Sequence, residues 1–157
     1  ARAKEAADLV VVLAHWGEER ASLPNRHQVD LARRYIDAGA DLIVGSHPHV
    51  LQGFECYKGK WIAYSLGNFV FTTNPNQKTW DSAVLQATCN KNGECELRVV
   101  PVDNTYAHPE PLDGEERLRV LRELAEMSLN STVLDDGRIT AVDREEEWER
   151  KWEATEQ

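Results

Sequence analysis

The segment DLIVGSHPHV, residues 41–50, joins a run of branched apolar residues to two histidines that flank a proline. Apolar runs of this kind are typical of a strand that is buried on both faces of a parallel sheet. The histidines follow at the carboxyl end of that strand, which is where open α/β sheets bind their ligands. The segment therefore predicts both a sheet strand and a functional edge of the sheet.

The residues before this segment complete a strand–helix–strand unit. A second apolar run, ADLVVVLAHW at residues 7–16, predicts another strand with both faces buried. Between the two runs, apolar residues recur at helical spacing from His27 to Ala38, and Gly39 stands where that helix should end. These elements predict two parallel strands joined by a crossover helix, so the fold class is α/β.

The residues after the segment follow an antiparallel pattern. The stretch at residues 50–66 predicts two strands joined at Lys58-Gly59, and SAVLQATC and CELRVVPV predict a second pair around an Asn92-Gly93 turn. The stretch YSLGNFVF, residues 64–71, predicts one apolar strand, with a bulge or a close backbone approach at Gly67-Asn68.

Helices are predicted for the last part of the chain. Apolar residues at helical spacing predict a helix from Asp113 to Leu129. A second, charged helix is predicted from Asp143, and it carries Trp148 and Trp152 one turn apart. Such a pair is expected to pack together on the body of the protein.

The composition excludes some classes of function. The net charge is −9, with most of the acidic excess after residue 110, and basic residues form no cluster. Nucleic-acid binding is therefore not expected, because phosphate contacts need clustered Lys and Arg. The longest apolar run, Leu9 to Ala14, is too short to span a membrane, and no signal-peptide pattern stands at the start of this chain.

Two of the three cysteines, Cys89 and Cys95, flank the predicted Asn-Gly turn. A disulfide across these two strands would suggest an exported protein. Two unpaired cysteines in a reducing compartment are the alternative, and the sequence leaves both open. Cys56 has no evident partner.

Three histidines are expected to meet at one edge of the sheet. His15 ends the first predicted strand, and His47 and His49 follow the second. Residues i and i+2 of an extended segment face the same side, and Pro48 restricts the residue before it to extended conformations. Gly45 allows a tight turn or a close approach to a ligand.

This edge predicts a metal or phosphate site, because several convergent imidazoles are natural ligands of zinc, iron or manganese. A lone strand-end histidine is more typical of a surface or capping residue. Glu19 could orient a ligand histidine, act as a general base or face water, and Glu18 reads as a solvated loop acid. Asn68 could orient a substrate or bond to neighbouring main chain, and Ser46 and Gln52 are weaker candidates.

Three motifs in this order resemble one protein family. HWGEE at residues 15–19, AGADLIVGSHPHVLQG at 38–53 and YKGKWIAYSLGNFVF at 57–71 are similar to the poly-γ-glutamate capsule synthesis proteins of the CapA type. These belong to the calcineurin-like metallophosphoesterase superfamily. The resemblance runs from Asp8 to Phe71 and continues more weakly to Val102.

The resemblance implies a four-layer α/β/β/α sandwich with a dinuclear metal site. Part of its ligand set comes from upstream Gly-Asp and Asn-Asn-His motifs, which do not occur here. Residues 1–112 are therefore expected to be the C-terminal part of such a domain, without its N-terminal half. Residues 113–157 are expected to form an acidic helical extension that packs on it.

The resemblance also implies roles for single residues. His15 matches the lone histidine of the central motif, and His47 and His49 match a Gly-His-x-His motif, so all three are expected metal ligands. Glu19 and His15 are the expected catalytic residues, and Asn68 is the expected substrate contact. Many relatives have a further histidine at the position of Ser46 and an aromatic residue at that of Arg20.

The implied function is metal-assisted hydrolysis or group transfer, with two divalent ions (Mn, Fe or Zn) in the intact domain and little activity in this part alone. The expected substrate is an anionic polymer such as poly-γ-glutamate or a phosphoester, at an extracytoplasmic or membrane-associated site. One alternative is a non-catalytic module that holds a polymer or partner proteins in a membrane synthesis complex. Another is a generic metallophosphoesterase acting on nucleotides or phospholipids.

Overall fold

A computed structural model of the chain describes residues 2–71, 80–144, 148 and 150. Its helices within these residues are α1 (Arg2–Ala6), α2 (Arg26–Asp37) and α3 (Gly114–Glu126). Its strands are β1 (Val11–His15), β2 (Leu42–Ser46), β3 (Leu51–Tyr57), β4 (Lys60–Leu66), β5 (Asp81–Cys89), β6 (Cys95–Asp103), β7 (Glu110–Pro111), β8 (Ser131–Val133) and β9 (Arg138–Ala141).

The first sheet has the strand order β1-β2-β4-β3. β1, β2 and β4 run parallel, and β3 pairs antiparallel with β4 across the turn at Lys58-Gly59. The register places His15 opposite Ser46, so β1 and β2 end side by side. The predicted parallel strand pair, its crossover helix and the following hairpin are confirmed.

The second sheet is antiparallel, with the order β5-β6-β9-β8 and β7 paired to β6. β5 and β6 form the hairpin predicted around Asn92-Gly93. Cys89 and Cys95 are opposite each other at its closed end and form a disulfide. The structure therefore favours the disulfide over two unpaired cysteines.

Helix α2 and the second sheet cover opposite faces of the first sheet. Val29 and Ile36 of α2 pack with Ile43 and Ile62 in one buried cluster. A second cluster joins the two sheets to α3, through residues that include Phe54, Trp61, Leu97, Val99, Leu121 and Leu124. The α/β class is confirmed. Within the described ranges these elements form three layers, so the four-layer sandwich stays a prediction.

Strand β1 differs from its prediction. Val12 and Ala14 pack toward α2, but Val11 is 44% exposed and Leu13 is 80% exposed. The prediction that this strand is buried on both faces is wrong, because β1 lies at the edge of the first sheet and the second sheet packs over its other strands.

The C-terminal extension, predicted as helical, contains two strands as well. Helix α3 ends at Glu126, and residues 131–141 form the hairpin of β8 and β9, which adds to the second sheet through β6. Ser131, Val133 and Ile139 are buried at strand spacing, and Gly137 turns the chain at φ +88°. Since β9 pairs with β6, the two predicted parts share one sheet.

Trp148 is buried in the cluster beneath α2, where its indole N–H donates to the Ser128 carbonyl oxygen at 2.5 Å. Trp152 lies outside the described residues, so its contact with Trp148 stays a prediction. Among the described residues, no helix is both long enough and apolar enough to cross a bilayer.

The stretch YSLGNFVF is a strand only to Leu66. Gly67 has φ +72°, and a Cβ there would lie 2.8 Å from the Asp81 carbonyl oxygen. The predicted close backbone approach is confirmed, but it ends the strand instead of interrupting it. Phe69, Val70 and Phe71 follow and are exposed.

Candidate metal centre

The parallel pairing of β1 and β2 brings His15 and His47 together. Trp16, just after His15, donates its backbone N–H to the Ser46 carbonyl oxygen at 3.1 Å. The ring centroids of His15 and His47 are 4.6 Å apart, and those of His47 and His49 are 6.1 Å apart. The neighbouring strand ends thus bring the three imidazoles to one edge of the sheet.

The backbone that presents two of these histidines is not extended. His47 has φ +99° and His49 has φ +62°, so the prediction that Pro48 holds the pair extended is wrong. Left-handed backbone costs a non-glycine residue about 1–3 kcal/mol, and such residues concentrate at functional sites. Pro48 is buried, and its carbonyl oxygen accepts the Arg20 N–H at 2.7 Å. Arg20 is itself left-handed, with φ +67°.

Glu19 joins two of the histidines. One carboxylate oxygen of Glu19 and one ring nitrogen each of His47 and His49 lie within 4.8 Å of one another. Glu19 is exposed and the two histidines are half-buried. One carboxylate and two imidazoles are a usual donor set for zinc, iron or manganese, so these residues fit a divalent cation. His15 is not in this group of three but touches it through the His47 ring.

Asn68 orients the His49 ring. Asn68 is buried, its Oδ1 lies 2.7 Å from His49 Nδ1, and its Nδ2 donates to the His49 carbonyl oxygen at 3.4 Å. Because the carboxamide oxygen is an acceptor, Nδ1 is the donor in this bond, and a neutral ring with this tautomer has its lone pair on Nε2. This bond restricts the orientation of the His49 ring, and the Asn68 oxygen, expected on a substrate, is engaged by the ring.

Gly45 and Ser46 support the end of β2. A Cβ on Gly45 would lie 2.0 Å from the Tyr64 carbonyl oxygen and 2.4 Å from Trp16 Nε1. The close approach predicted for this glycine is thus to protein atoms, where the Trp16 indole donates to the Tyr64 carbonyl at 2.9 Å. Ser46 is exposed and donates to the Ala14 carbonyl oxygen at 3.2 Å.

A hydrogen-bonded triad, in which Tyr64 and Glu55 are buried and Arg33 is half-buried, joins β3 and β4 to α2. The Tyr64 hydroxyl donates to Glu55, and the same carboxylate accepts from Arg33 Nε at 2.8 Å. Burial, together with the Glu55 charge, raises the pKa of Tyr64 well above its usual value. Tyr64 therefore stays protonated as a donor, and the triad is structural.

Two buried glutamines, Gln28 and Gln52, form hydrogen bonds with the loop that carries Glu19. Gln52 was only a weak candidate from the sequence, and Gln28 was missed. A signal for Gln28 was present, because Asn25 and Gln28 have the spacing of a capping box, which the structure contains.

Known proteins resemble the chain over the region that holds these residues. The family model Bacterial capsule synthesis protein PGA_cap matches residues 1–73. The PGA biosynthesis protein CapA of Bacillus subtilis (strain 168) is 46% identical over 140 residues, which cover 88% of this chain and 37% of that protein. The capsule biosynthesis protein CapA of Bacillus anthracis is 49% identical over 119 residues, which cover 75% of this chain and 29% of that protein.

A more distant match is a probable polyglutamine synthesis accessory protein of Mycobacterium tuberculosis (strain ATCC 25618 / H37Rv), 36% identical over 67 residues, 43% of this chain and 18% of that protein. The matched segments span 37% and 29% of the lengths of the two Bacillus proteins. Residues from His15 to Asn68, which contain the candidate centre, all fall inside the segment that the family model matches.

Proposed function

The chain belongs to the CapA-type family of capsule synthesis proteins, and we propose that it serves the synthesis of an anionic cell-surface polymer through a divalent metal site. The observation that carries this proposal is that one possible ligand atom each of Glu19, His47 and His49 lie within 4.8 Å of one another. The names of the Bacillus relatives support poly-γ-glutamate as the polymer, with a phosphoester as the other substrate class.

Each residue of the centre has a distinct task in this proposal. Glu19 supplies the negative charge that neutral imidazoles lack, and Asn68 keeps the His49 Nε2 lone pair available. We assign His15, beside His47, to a second ion or to proton transfer. A bound Mn, Fe or Zn ion would polarise an anionic group and activate water.

The proposed catalyst needs residues beyond those described. Within residues 2–71, 80–144, 148 and 150, the only group of three or more ligand side chains is Glu19, His47 and His49. On the outer face of β1, Leu13 is 80% exposed. We propose that the intact protein supplies an N-terminal half that covers this face and adds the remaining ligands. The chain alone would then bind metal but catalyse poorly.

The disulfide supports an extracytoplasmic or membrane-associated location, because disulfides persist in oxidising compartments. A polymer of negative charge would not be attracted to a chain of net charge −9 without help. Bound metal would provide that attraction locally.

A second function, a non-catalytic module for polymer or partner proteins, is favoured by the exposed residues after β4. Phe69, Val70 and Phe71 are 50%, 69% and 45% exposed, and the Phe71 ring centroid lies 4.9 Å from that of His49. Contiguous exposed apolar side chains beside a polar site are typical of a binding surface.

The test is the metal content of the chain after loading with Zn²⁺ or Mn²⁺ and dialysis. We expect bound metal in the parent and its loss in a His47→Ala, His49→Ala variant. A His27→Ala, His108→Ala variant is the matched control, because it removes two exposed histidines outside the centre and should keep the metal. Folded parent protein without metal would overturn the metal proposal.

The same measurement on a chain extended upstream, to the length of the Bacillus relatives, separates the two functions. Roughly two ions per chain, together with cleavage of poly-γ-glutamate or of a phosphodiester, would support the catalyst. Polymer binding without turnover of either substrate would support the module.

A further inference from the structure

We infer that Gln28 and Gln52 are positioning residues that hold Glu19 against His47 and His49. This inference rests on the proposed metal function of the centre. It concerns the loop of residues 16–25, which connects β1 to α2 and carries Glu19.

The first anchor of this loop is a backbone hydrogen bond. Arg20, next to Glu19, donates its N–H to the Pro48 carbonyl oxygen at 2.7 Å, between the two histidines. This bond ties the loop to the segment that carries the other candidate ligands. Carbonyl groups of the residues after Arg20 accept hydrogen bonds from a buried side chain, which is the second anchor.

Gln52, in β3, is the second anchor. It is completely buried, and its Nε2 donates to the carbonyl oxygens of Ala21 at 2.8 Å and Leu23 at 3.2 Å. Its Oε1 accepts from Gln28 Nε2 at 2.9 Å. Both amide hydrogens of Gln52 are thus used on the loop that follows Glu19.

Gln28, in the first turn of α2, closes the arrangement. Its side chain is 1% exposed, and its Oε1 accepts the backbone N–H of Asn25 at 3.0 Å. A Cβ on Gly17 would lie 2.7 Å from the carboxamide of Gln28, so the amide packs directly on the start of the loop. Gln28 therefore contacts both ends of the loop and forms a hydrogen bond with the Gln52 side chain.

A buried carboxamide is costly unless its polar atoms are bonded, and an apolar side chain would fill a core position without that cost. The bonds of these two amides end on the loop or on each other. Glu19 lies between Gly17 and Ala21, the parts of the loop that they touch. The two amides therefore restrict where the exposed carboxylate can lie.

The test is a double-mutant cycle read by Zn²⁺ affinity in titration calorimetry. Gln52→Met keeps the length of the side chain but removes the hydrogen bonds, and we expect about a tenfold loss of affinity, as for other residues that orient ligands. In a Glu19→Gln background, Gln52→Met should have no further effect. Gln86→Met, at an exposed position of β5, is the matched control and should leave the affinity unchanged.

An equal loss in both backgrounds would overturn the inference, because Gln52 would then act on the histidines or on the fold as a whole. Unchanged affinity in Gln52→Met would overturn it as well. If Gln52→Met does not fold, Gln28→Met replaces it, with the same criteria.

A readout without metal separates this inference from the proposed function. Hydrogen exchange of the Arg20 amide in the metal-free protein should become at least about tenfold faster in Gln52→Met, while the core amides of Ile43 and Ile62 keep their rates. A parent that binds no Zn²⁺ would refute the metal function alone. Unchanged exchange at Arg20 would refute the positioning role.

Discussion

The two ends of β2 differ in the partners of the carboxylate that lies beside them. At the amino end, the Asp41 side chain is 3% exposed and accepts from Lys4 at 2.6 Å, Lys60 at 2.9 Å and the Val10 N–H at 2.9 Å. At the carboxyl end, Glu19 faces His47 and His49, and no salt bridge to Glu19 is present among the described residues. One carboxylate has two ammonium partners, and the other has imidazoles that are themselves possible ligands.

The amino end is built for stability. Lys60 also donates to the carbonyl oxygens of Asn92 at 3.2 Å and Gly93 at 2.7 Å, so the same ammonium group ties the β5–β6 hairpin to the first sheet. Removing one partner of such a pair is costly, because the charge that remains is left uncompensated. At the carboxyl end, the Glu19 carboxylate lies beside two half-buried histidines on left-handed backbone, and these three residues are the candidate cation site.

The largest effect is expected from Asp41→Ala. This change leaves Lys60 without its buried partner and should lower the free energy of unfolding by about 3 kcal/mol, with Zn²⁺ affinity unchanged. Urea unfolding at pH 7 measures the loss. Asp37→Ala, which removes an exposed pair with Lys58, is the control and should cost nothing measurable. Similar losses in both variants would remove the distinction between this end of β2 and the ordinary surface.

The pH dependence of the unfolding free energy tests the same difference between the two ends of β2. Burial alone would raise the pKa of Asp41, but hydrogen bonds from Lys4, Lys60 and Val10 outweigh it and lower the pKa to about 2 from 3.8. A lowered pKa in the folded state stabilises the protein above pH 3.8, and that stability is lost as the pH falls through 2.

Between pH 4 and pH 2, the parent should therefore lose about 2 kcal/mol more unfolding free energy than Asp41→Asn, which has no carboxyl group at this position to titrate. Urea unfolding of both proteins across this range measures the difference. Parallel pH curves would contradict the role given to Asp41.

At the opposite end, Asn68→Ala tests ligand preparation. Without the acceptor on Nδ1, the His49 ring is free to change orientation and tautomer, and Zn²⁺ affinity should fall about tenfold. Titration calorimetry measures the affinity, with Asn90→Ala in the exposed β5–β6 turn as the control. If Asn68→Ala binds Zn²⁺ as tightly as the parent does, the amide has no part in the centre.

The smallest effect is expected from Ser46→Ala. The Ser46 hydroxyl is exposed and lies 3.5 Å from His15 Nδ1, at the limit of a hydrogen bond. Its removal should change Zn²⁺ affinity less than about twofold and the free energy of unfolding by less than about 0.5 kcal/mol. A larger loss of affinity would mean that the Ser46 hydroxyl, through His15, contributes to the centre.

Much of the fold was predictable because its signals are local. The spacing of Val29, Ala32 and Ile36 identifies α2, and the Asn92-Gly93 turn identifies the β5–β6 hairpin. The convergence of His15 and His47 followed from one general rule, that parallel neighbouring strands end at the same edge of a sheet.

The positions that were mispredicted depend on partners far along the chain. Residues 7–16 were predicted to be a strand buried on both faces. An apolar run does not show whether its strand will lie at the centre or at the edge of a sheet. The β8–β9 hairpin was missed, since its few residues form strands by pairing with β6. The left-handed backbone of His47 and His49 was missed. The preference for extended backbone before proline is a local average, and it takes no account of the hydrogen bond from Arg20 to the Pro48 carbonyl oxygen.

Side-chain periodicity and turn residues were sufficient for the α/β class, the order of the main elements and the edge where the histidines gather, because each acts over a few residues. Tertiary structure alone decided that Glu19 reaches His47 and His49, that Asn68 orients His49 and that Asp41 has two cationic partners. Those contacts depend on how separate segments pack. Hydrogen bonds such as those of Gln28 and Gln52 then hold a loop that has no regular structure of its own.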